Sequence, residues 1–287
     1  MEIKQALRGQ EMMMPKQPLL VLDAETYDWM EIKVCGISHC YTFSVSQKMM
    51  DQARIVPDGS VDLFIKCDAQ KPKYFFYGSP TQVTDVHYLE DLTVGDTIFG
   101  IRFLPGQAWW PDALPMDDLT DGGIEVEDFC KDHGFMERIA EENKFIEQVK
   151  IFMDYYMIHF QNEYKVSRHS ELGSAMVAAI TDQSGRMTMK DLSEKMGYSP
   201  RYLNRVFHQC AGMSPKKFSE IIRFQRVLAD VKKHKKISEV SGDLDYFDQS
   251  HLLKSFKKFT GMSPQGYVKD VMDHGGTVMD RHLQTTF

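Results

Sequence analysis

The chain has 287 residues, 43% of them apolar, and a formal net charge of −7. That length suits two domains of ordinary size, each able to bury a core. No apolar run approaches the ~20 residues that span a bilayer. The first residues lack the apolar stretch of a secretory signal. The five cysteines are odd in number and make no CxxC pair, which points to a reduced, cytoplasmic setting.

The charge is unevenly spread. Residues 187–273 hold 16 Lys/Arg against 10 Asp/Glu, a net of +6, which leaves −13 on the rest of the chain. A basic final third on an acidic body fits a polyanion-binding module attached to something else. An ordinary solvated surface can carry as much, so charge alone does not decide.

Residues 1–20 read as a loose leader. From 21 to 120 the segments IKVCGISHCYTFSV, RIVPDGSVDLFIKC, KYFFYG and DTIFGIRFL are short, β-branched or aromatic, and bounded by Pro-Asp-Gly, Gly-Ser-Pro and Pro-Gly turns. That density of strands and turns predicts a small β-barrel or sandwich, with Trp109 and Trp110 covering one end. Within it, Cys35, His39 and Cys40 invite a metal reading. On a regular strand, however, 35 and 39 share one face and 40 takes the other, so no metal is expected.

Residues 121–165 turn helical. Ile146, Val149, Met153, Tyr156 and Phe160 recur at steps of three and four, a coiled-coil-like seam. The seam can join two copies into a homodimer or pack on its own barrel. Residues 166–176 are polar and read as a linker. Short, closely spaced helices fill 177–273, and the tail, 274–287, has no periodic signal and is expected to fray.

The helical region contains a repeat. SPRYLNRVFHQCAGMSPKKF (199–218) aligns without a gap to DQSHLLKSFKKFTGMSPQGY (248–267), with six of twenty positions identical. In the first copy Thr188 is placed to cap a short helix, with Asp191 in its first turn. Gly197 lets the chain reverse, and Ser199 caps the next helix with Pro200 at its first position. Leu203, Val206, Phe207 and Cys210 make a buried stripe, while Arg201, Asn204, Arg205 and His208 share the opposite face. A helix, a glycine turn and a second helix with a polar outer face make a helix-turn-helix, whose second helix fits a major groove. A third helix, with Phe218, Ile221, Ile222, Gln225 and Leu228 inward, joins the copies. In the second copy Ile237, Val240 and Leu244 face inward, Asp248 caps, and Leu252, Phe256 and Phe259 form the stripe. Gln249, Ser250, Leu253, Lys254 and Lys257 point outward.

On Leu192, Gly197, Ser199, Tyr202, Leu203, Arg205, Phe207, Gly212, Ser214-Pro215 and Phe218, and on Ser250-His251, Phe256-Lys257-Lys258, Gly261, Ser263-Pro264 and Tyr267, residues 177–271 resemble the DNA-binding domain of the AraC/XylS family of transcription regulators. The chain departs from that pattern at Asp245, where the family has Gly, and at Ser241, where it has Ala. Asp243, Asp245 and Asp248 near a phosphate backbone imply a weaker second motif. The N-terminal part, through RIVPDGSVDLFI and IFGIRFLPGQA, resembles the small β-barrel sensor domain of many family members.

The resemblance implies an α+β chain of two domains: an N-terminal small β-barrel or sandwich with a helical extension, and a C-terminal all-α tandem helix-turn-helix domain. It implies double-stranded DNA as partner, read in two successive major grooves. By position, Arg201, Asn204 and Arg205 read bases in the first groove and Gln249, Ser250 and Lys254 in the second, with Ser199 at a phosphate. It further implies a small-molecule effector, for which Arg102, Tyr77, Phe103 and Trp109 are the candidate contacts, RNA polymerase as a partner of an activator, and a homodimer. The alternative is a ligand-independent regulator whose N-terminal domain only dimerises or contacts partner proteins. No cofactor is expected. Neither is catalysis, for the chain has no His-x-His and no Gly-x-Ser-x-Gly.

Overall fold

The computed structural model describes residues 17, 23–24, 26–68, 72–85, 89, 92–111, 114–128, 134–165, 168–232, 249–274 and 279–282. The strands are β1 (Thr26–Glu31), β2 (Ile37–Ser44), β3 (Arg54–Ile55), β4 (Val61–Cys67), β5 (Lys73–Tyr77), β6 (Thr84–Asp85), β7 (Thr97–Phe103), β8 (Gly123–Glu125) and β9 (Met279–His282). Seven of them form one sheet in the order β8-β5-β4-β7-β2-β1-β9, and β3 pairs with β6 separately. The two edge strands do not meet, so the expected barrel is an open sheet. Alternating apolar residues fix which face of a strand is buried, but not whether the last strand reaches the first.

The tail also departs from expectation. Met279–His282 are not frayed but run parallel to Thr26–Trp29 and form the sheet's last strand.

Alternation sorts the side chains onto two faces. Leu63, Ile65, Tyr74, Phe76, Phe99, Ile101 and Phe103 share one core. Tyr41, Phe43, Phe64, Phe75, Tyr77 and Ile98 share the other. A register shift between Ile37 and His39 interrupts the alternation in β2. Through it Cys40 joins Ile37 and the partly buried Cys35 on the first face, whereas His39 meets Trp29 edge-on and Tyr41 at a tilt. The strand reading of these three residues is corrected accordingly. Burial, helped by the Arg102 charge, lowers the His39 pKa to about 3, so its ring is neutral.

Helices α1 (Gln47–Gln52) and α2 (Met116–Leu119) are short. Helices α3 (Gly134–Glu141) and α4 (Phe145–Glu163) cover the first face of the sheet. The seam on α4 is spent there: Val149, Met153, Tyr156 and Phe160 are buried within this one chain. Each such side chain stabilises the packed state by about 1.5–3 kcal/mol relative to exposure. In this chain those four seam residues pack on their own sheet.

The segment read as a linker is helical as well. α5 (Arg168–Asp182) buries Leu172, Met176 and Val177 in the core of the helical domain. Its start is polar, which masks the apolar step of four. Beyond it lie α6 (Met189–Met196), α7 (Pro200–Ala211), α8 (Pro215–Lys232), α9 (Gln249–Thr260) and α10 (Pro264–His274). Phe207, Phe218, Phe224, Phe256 and Tyr267 form their common core. Val56, from the N-terminal domain, is part of that same core.

Candidate nucleic-acid interface

The first helix-turn-helix follows its local chemistry. Thr188 Oγ1 accepts from the Asp191 N–H at 3.2 Å and the Asp191 carboxylate accepts from the Thr188 N–H at 2.9 Å, a complete capping box. The Thr188 hydroxyl, which donates to the Asp191 carboxylate at 2.7 Å, and then the Thr188 N–H hold that exposed carboxyl below its ordinary pKa. Gly197 ends α6 at φ 73°, in the left-handed region. Ser199 Oγ then caps α7, accepting from the Tyr202 N–H at 3.4 Å, with Pro200 at the first position.

α7 has the two faces its spacing predicts. Leu203, Val206 and Phe207 are buried, while Arg201, Arg205 and His208 are exposed. The Asn204 amide donates to the Pro200 carbonyl at 3.0 Å, so it must turn outward to reach a base. The Arg205 guanidinium lies 5.2 Å from the Tyr202 ring centre, and Tyr202 stacks on Tyr198 at 5.0 Å. Tyr198, 37% exposed, was not among the sequence candidates. Its signal was an aromatic residue in the turn with no core position to fill.

In the second motif Leu252, Phe256 and Phe259 are buried. Ser250, Leu253, Lys254 and Lys257 are exposed on the other side of α9. The Gln249 backbone begins α9. Its side chain lies outside the described residues, as do Ile237, Val240, Ser241, Asp243, Leu244, Asp245 and Asp248. Each motif therefore presents an outward face, and the two faces differ: Arg201, Asn204 and Arg205 on one, Ser250, Leu253 and Lys254 on the other.

The candidate effector residues fall into two places. Arg102 is buried on β7 and fully engaged. Its Nε and Nη2 donate to the two Asp62 oxygens at 2.9 and 2.7 Å, and Nη1 donates to Asp58 at 2.9 Å. Burial opposes its charge, but both carboxylates hold it protonated. Tyr41 Oη also donates to Asp62, at 2.9 Å. It lies across β7 because Gly100, its register partner, has no side chain in the way. Tyr77 and Arg102 line a cavity of about 20 Å³, room for a water-sized occupant. Phe103 and Trp109 are on the opposite side of the sheet, packed against Tyr156 at 5.9 and 5.6 Å. The structure brings Arg102 together with Tyr77, and does not bring either to Phe103 or Trp109.

Among the described residues no helix is long and apolar enough to cross a membrane. A family profile described as a helix-turn-helix domain matches residues 192–270. The chain is 24% identical over 116 residues to the Msm operon regulatory protein of Streptococcus mutans, which covers 40% of this chain and 38% of that protein. It is 22% identical over 126 residues to the uncharacterized HTH-type transcriptional regulator YidL of Escherichia coli, covering 44% and 42%. The chain thus spans about two fifths of the length of these curated relatives. Among solved structures, ToxT from Vibrio cholerae aligns at 10% identity over 80% of this chain and 97% of its own, with a TM-score of 0.41. Over its tandem helix-turn-helix region the chain is thus similar to a family of helix-turn-helix domains and to relatives described as transcription regulators.

Proposed function

We propose that this chain is a sequence-specific regulator of transcription that lays α7 and α9 into successive major grooves of one duplex. The carrying observation is the pair of exposed faces with unlike side chains on a duplicated frame. Arg suits the O6/N7 edge of guanine and Asn the edge of adenine, and each good pair contributes about 1–3 kcal/mol of discrimination. Ser250, Leu253 and Lys254 suit a different set of bases, so the site is asymmetric. Selection of duplexes from a random pool by the full chain tests this. The expected product is a non-palindromic site. Arg205→Ala should then weaken binding to that site far more than to random DNA, and equal losses on both would refute base reading by Arg205.

Control by a small effector is the finer part of the reading. Its support is the cavity lined by Arg102 and Tyr77, beside a turn that touches the helical domain. As packed, the cavity is smaller than the ~300 Å³ or more of an ordinary ligand site, so a metabolite must part Arg102 from a carboxylate to enter. That close packing favours a second reading, a ligand-independent regulator. Thermal-shift screening of the full chain against metabolites separates them. A saturable rise in melting temperature supports an effector, and a flat response across a broad library supports the second reading.

A further inference from the structure

The two recognition helices end at equivalent residues of the repeat, Gly212 and Gly261, both left-handed at φ 68° and 71°. The N-terminal domain holds both ends. At the first, Thr120 Oγ1 donates to the Gly212 carbonyl at 2.7 Å. A Cβ on Gly212 would collide with the Met116 carbonyl and Thr120 Oγ1, and Asp117 lies 3.5 Å from His208. At the second, Arg54 Nη1 donates to the Thr260 carbonyl at 3.1 Å. A Cβ on Gly261 would lie 3.2 Å from that same nitrogen, and the Val83 N–H donates to the Lys258 carbonyl at 3.1 Å.

These contacts have a common physical basis. The last carbonyls of a helix have no partner within it, and a cation there is favoured by the helix dipole. Thr120 and Arg54 thus each satisfy an orphan carbonyl at the end of a recognition helix, Gly212 in the first copy and Thr260, the counterpart of Ala211, in the second. Between them a third contact meets the helix that joins the motifs: Gln225 Nε2 on α8 donates to the Pro57 carbonyl at 2.7 Å, and Gly59 packs on the Phe218 ring. The turn carrying Pro57 is fixed from behind. Asp58 takes the Arg102 hydrogen bond, and Ser79 Oγ accepts from the Asp58 and Gly59 N–H groups at 3.2 and 2.9 Å.

We infer that the N-terminal domain is a brace across the two reading heads, and that Thr120 and Arg54 are positioning residues that set the separation and rotation of α7 and α9. They thereby select the half-site spacing that the protein accepts. A grip on one motif alone would only tether the domains. A grip on the corresponding end of both, with the joining helix held between, fixes one head relative to the other. The inference rests on the DNA reading proposed above.

The test uses the full chain and the duplex it selects from a random pool, with one or two base pairs inserted or removed between the half-sites. Each base pair moves the second half-site by about 3.4 Å and turns it by about a tenth of a helical turn. Wild type should lose about tenfold or more in affinity for a one-pair change, comparable to a mismatched base pair. Thr120→Val combined with Arg54→Gln should flatten that loss to about threefold or less, and Thr120→Ser with Arg54→Lys should restore the wild-type profile. A double variant that binds every spacing more weakly by one common factor overturns the inference while leaving the DNA reading intact. Failure to select any preferred duplex overturns the DNA reading, and this inference with it. Thermal melting checks that the variants fold. Should the double variant melt below the assay temperature, Thr120→Val alone, which removes one hydroxyl, must still relax the profile.

Discussion

Arg102 on β7 and Asp62 on β4 face each other as register partners and share two hydrogen bonds, at 2.9 and 2.7 Å, inside the molecule. Asp58 shares the same guanidinium, so two carboxylates depend on one cation. Removing the cation is therefore worse than losing a pair. Arg102→Leu leaves both carboxylates buried without a counter-charge, and breaking a buried pair in this way costs about 3–5 kcal/mol. Equilibrium urea unfolding should show that loss. A variant as stable as wild type would mean that water reaches the cluster.

Asp58 adds a pH dependence. Burial raises its pKa above 3.8; the Arg102 charge opposes that rise and the neighbouring Asp62 reinforces it. A carboxyl whose pKa is raised on folding holds its proton more tightly folded than unfolded. Its contribution to stability is then largest below 3.8 and is lost as the pH rises through the folded value. Asp58→Asn cannot titrate. The stability of wild type relative to Asp58→Asn should fall as the pH climbs from below 3.8 toward neutrality, measured by urea melts across that range. A difference that grows with pH would show that pairing with Arg102 outweighs burial.

Much of the helical domain was legible because its signals are local. Thr188 with Asp191, Gly197, Ser199-Pro200 and the stripe of Leu203, Val206 and Phe207 each act within one helical turn, and each appears where the spacing placed it. The open sheet was not legible, because closure depends on how strands stack over tens of residues. Nor was the use of the α4 seam, for a stripe such as Val149, Met153 and Tyr156 fits its own sheet as well as a partner. The contacts of Arg54 and Thr120 with the recognition helices link residues 206 and 92 positions apart. Nothing in a short window of sequence records them.

The reading face of α7 invites a test that separates shape from charge. Tyr202 supports the Arg205 guanidinium, whereas Lys257 is an exposed cation on α9. Tyr202→Leu keeps apolar bulk but removes the ring, and a cation–π contact at an exposed site contributes about 0.5–1 kcal/mol. It should reduce selectivity for the cognate duplex while leaving the salt dependence unchanged. Lys257→Ala should weaken cognate and random DNA alike and lower the slope of log affinity against log salt by about 0.9. Fluorescence anisotropy at several salt concentrations reads both quantities, and a changed slope in Tyr202→Leu would assign that residue to the phosphates instead.

Two glycines with nearly the same backbone differ in what surrounds them. Gly197 and Gly212 both cap helices in the left-handed region, at φ 73° and 68°. A Cβ on Gly197 meets nothing within 4 Å, whereas one on Gly212 meets the Met116 carbonyl and Thr120 Oγ1 of the N-terminal domain. Gly197→Ala should therefore cost only the left-handed strain, about 1–2 kcal/mol. Gly212→Ala carries that strain and also pushes α2 away from α7. It should destabilise more, and limited proteolysis should cut the Met116–Thr120 segment sooner than in Gly197→Ala. Equal stabilities and equal cleavage would mean that the contact between α2 and the end of α7 contributes nothing in solution.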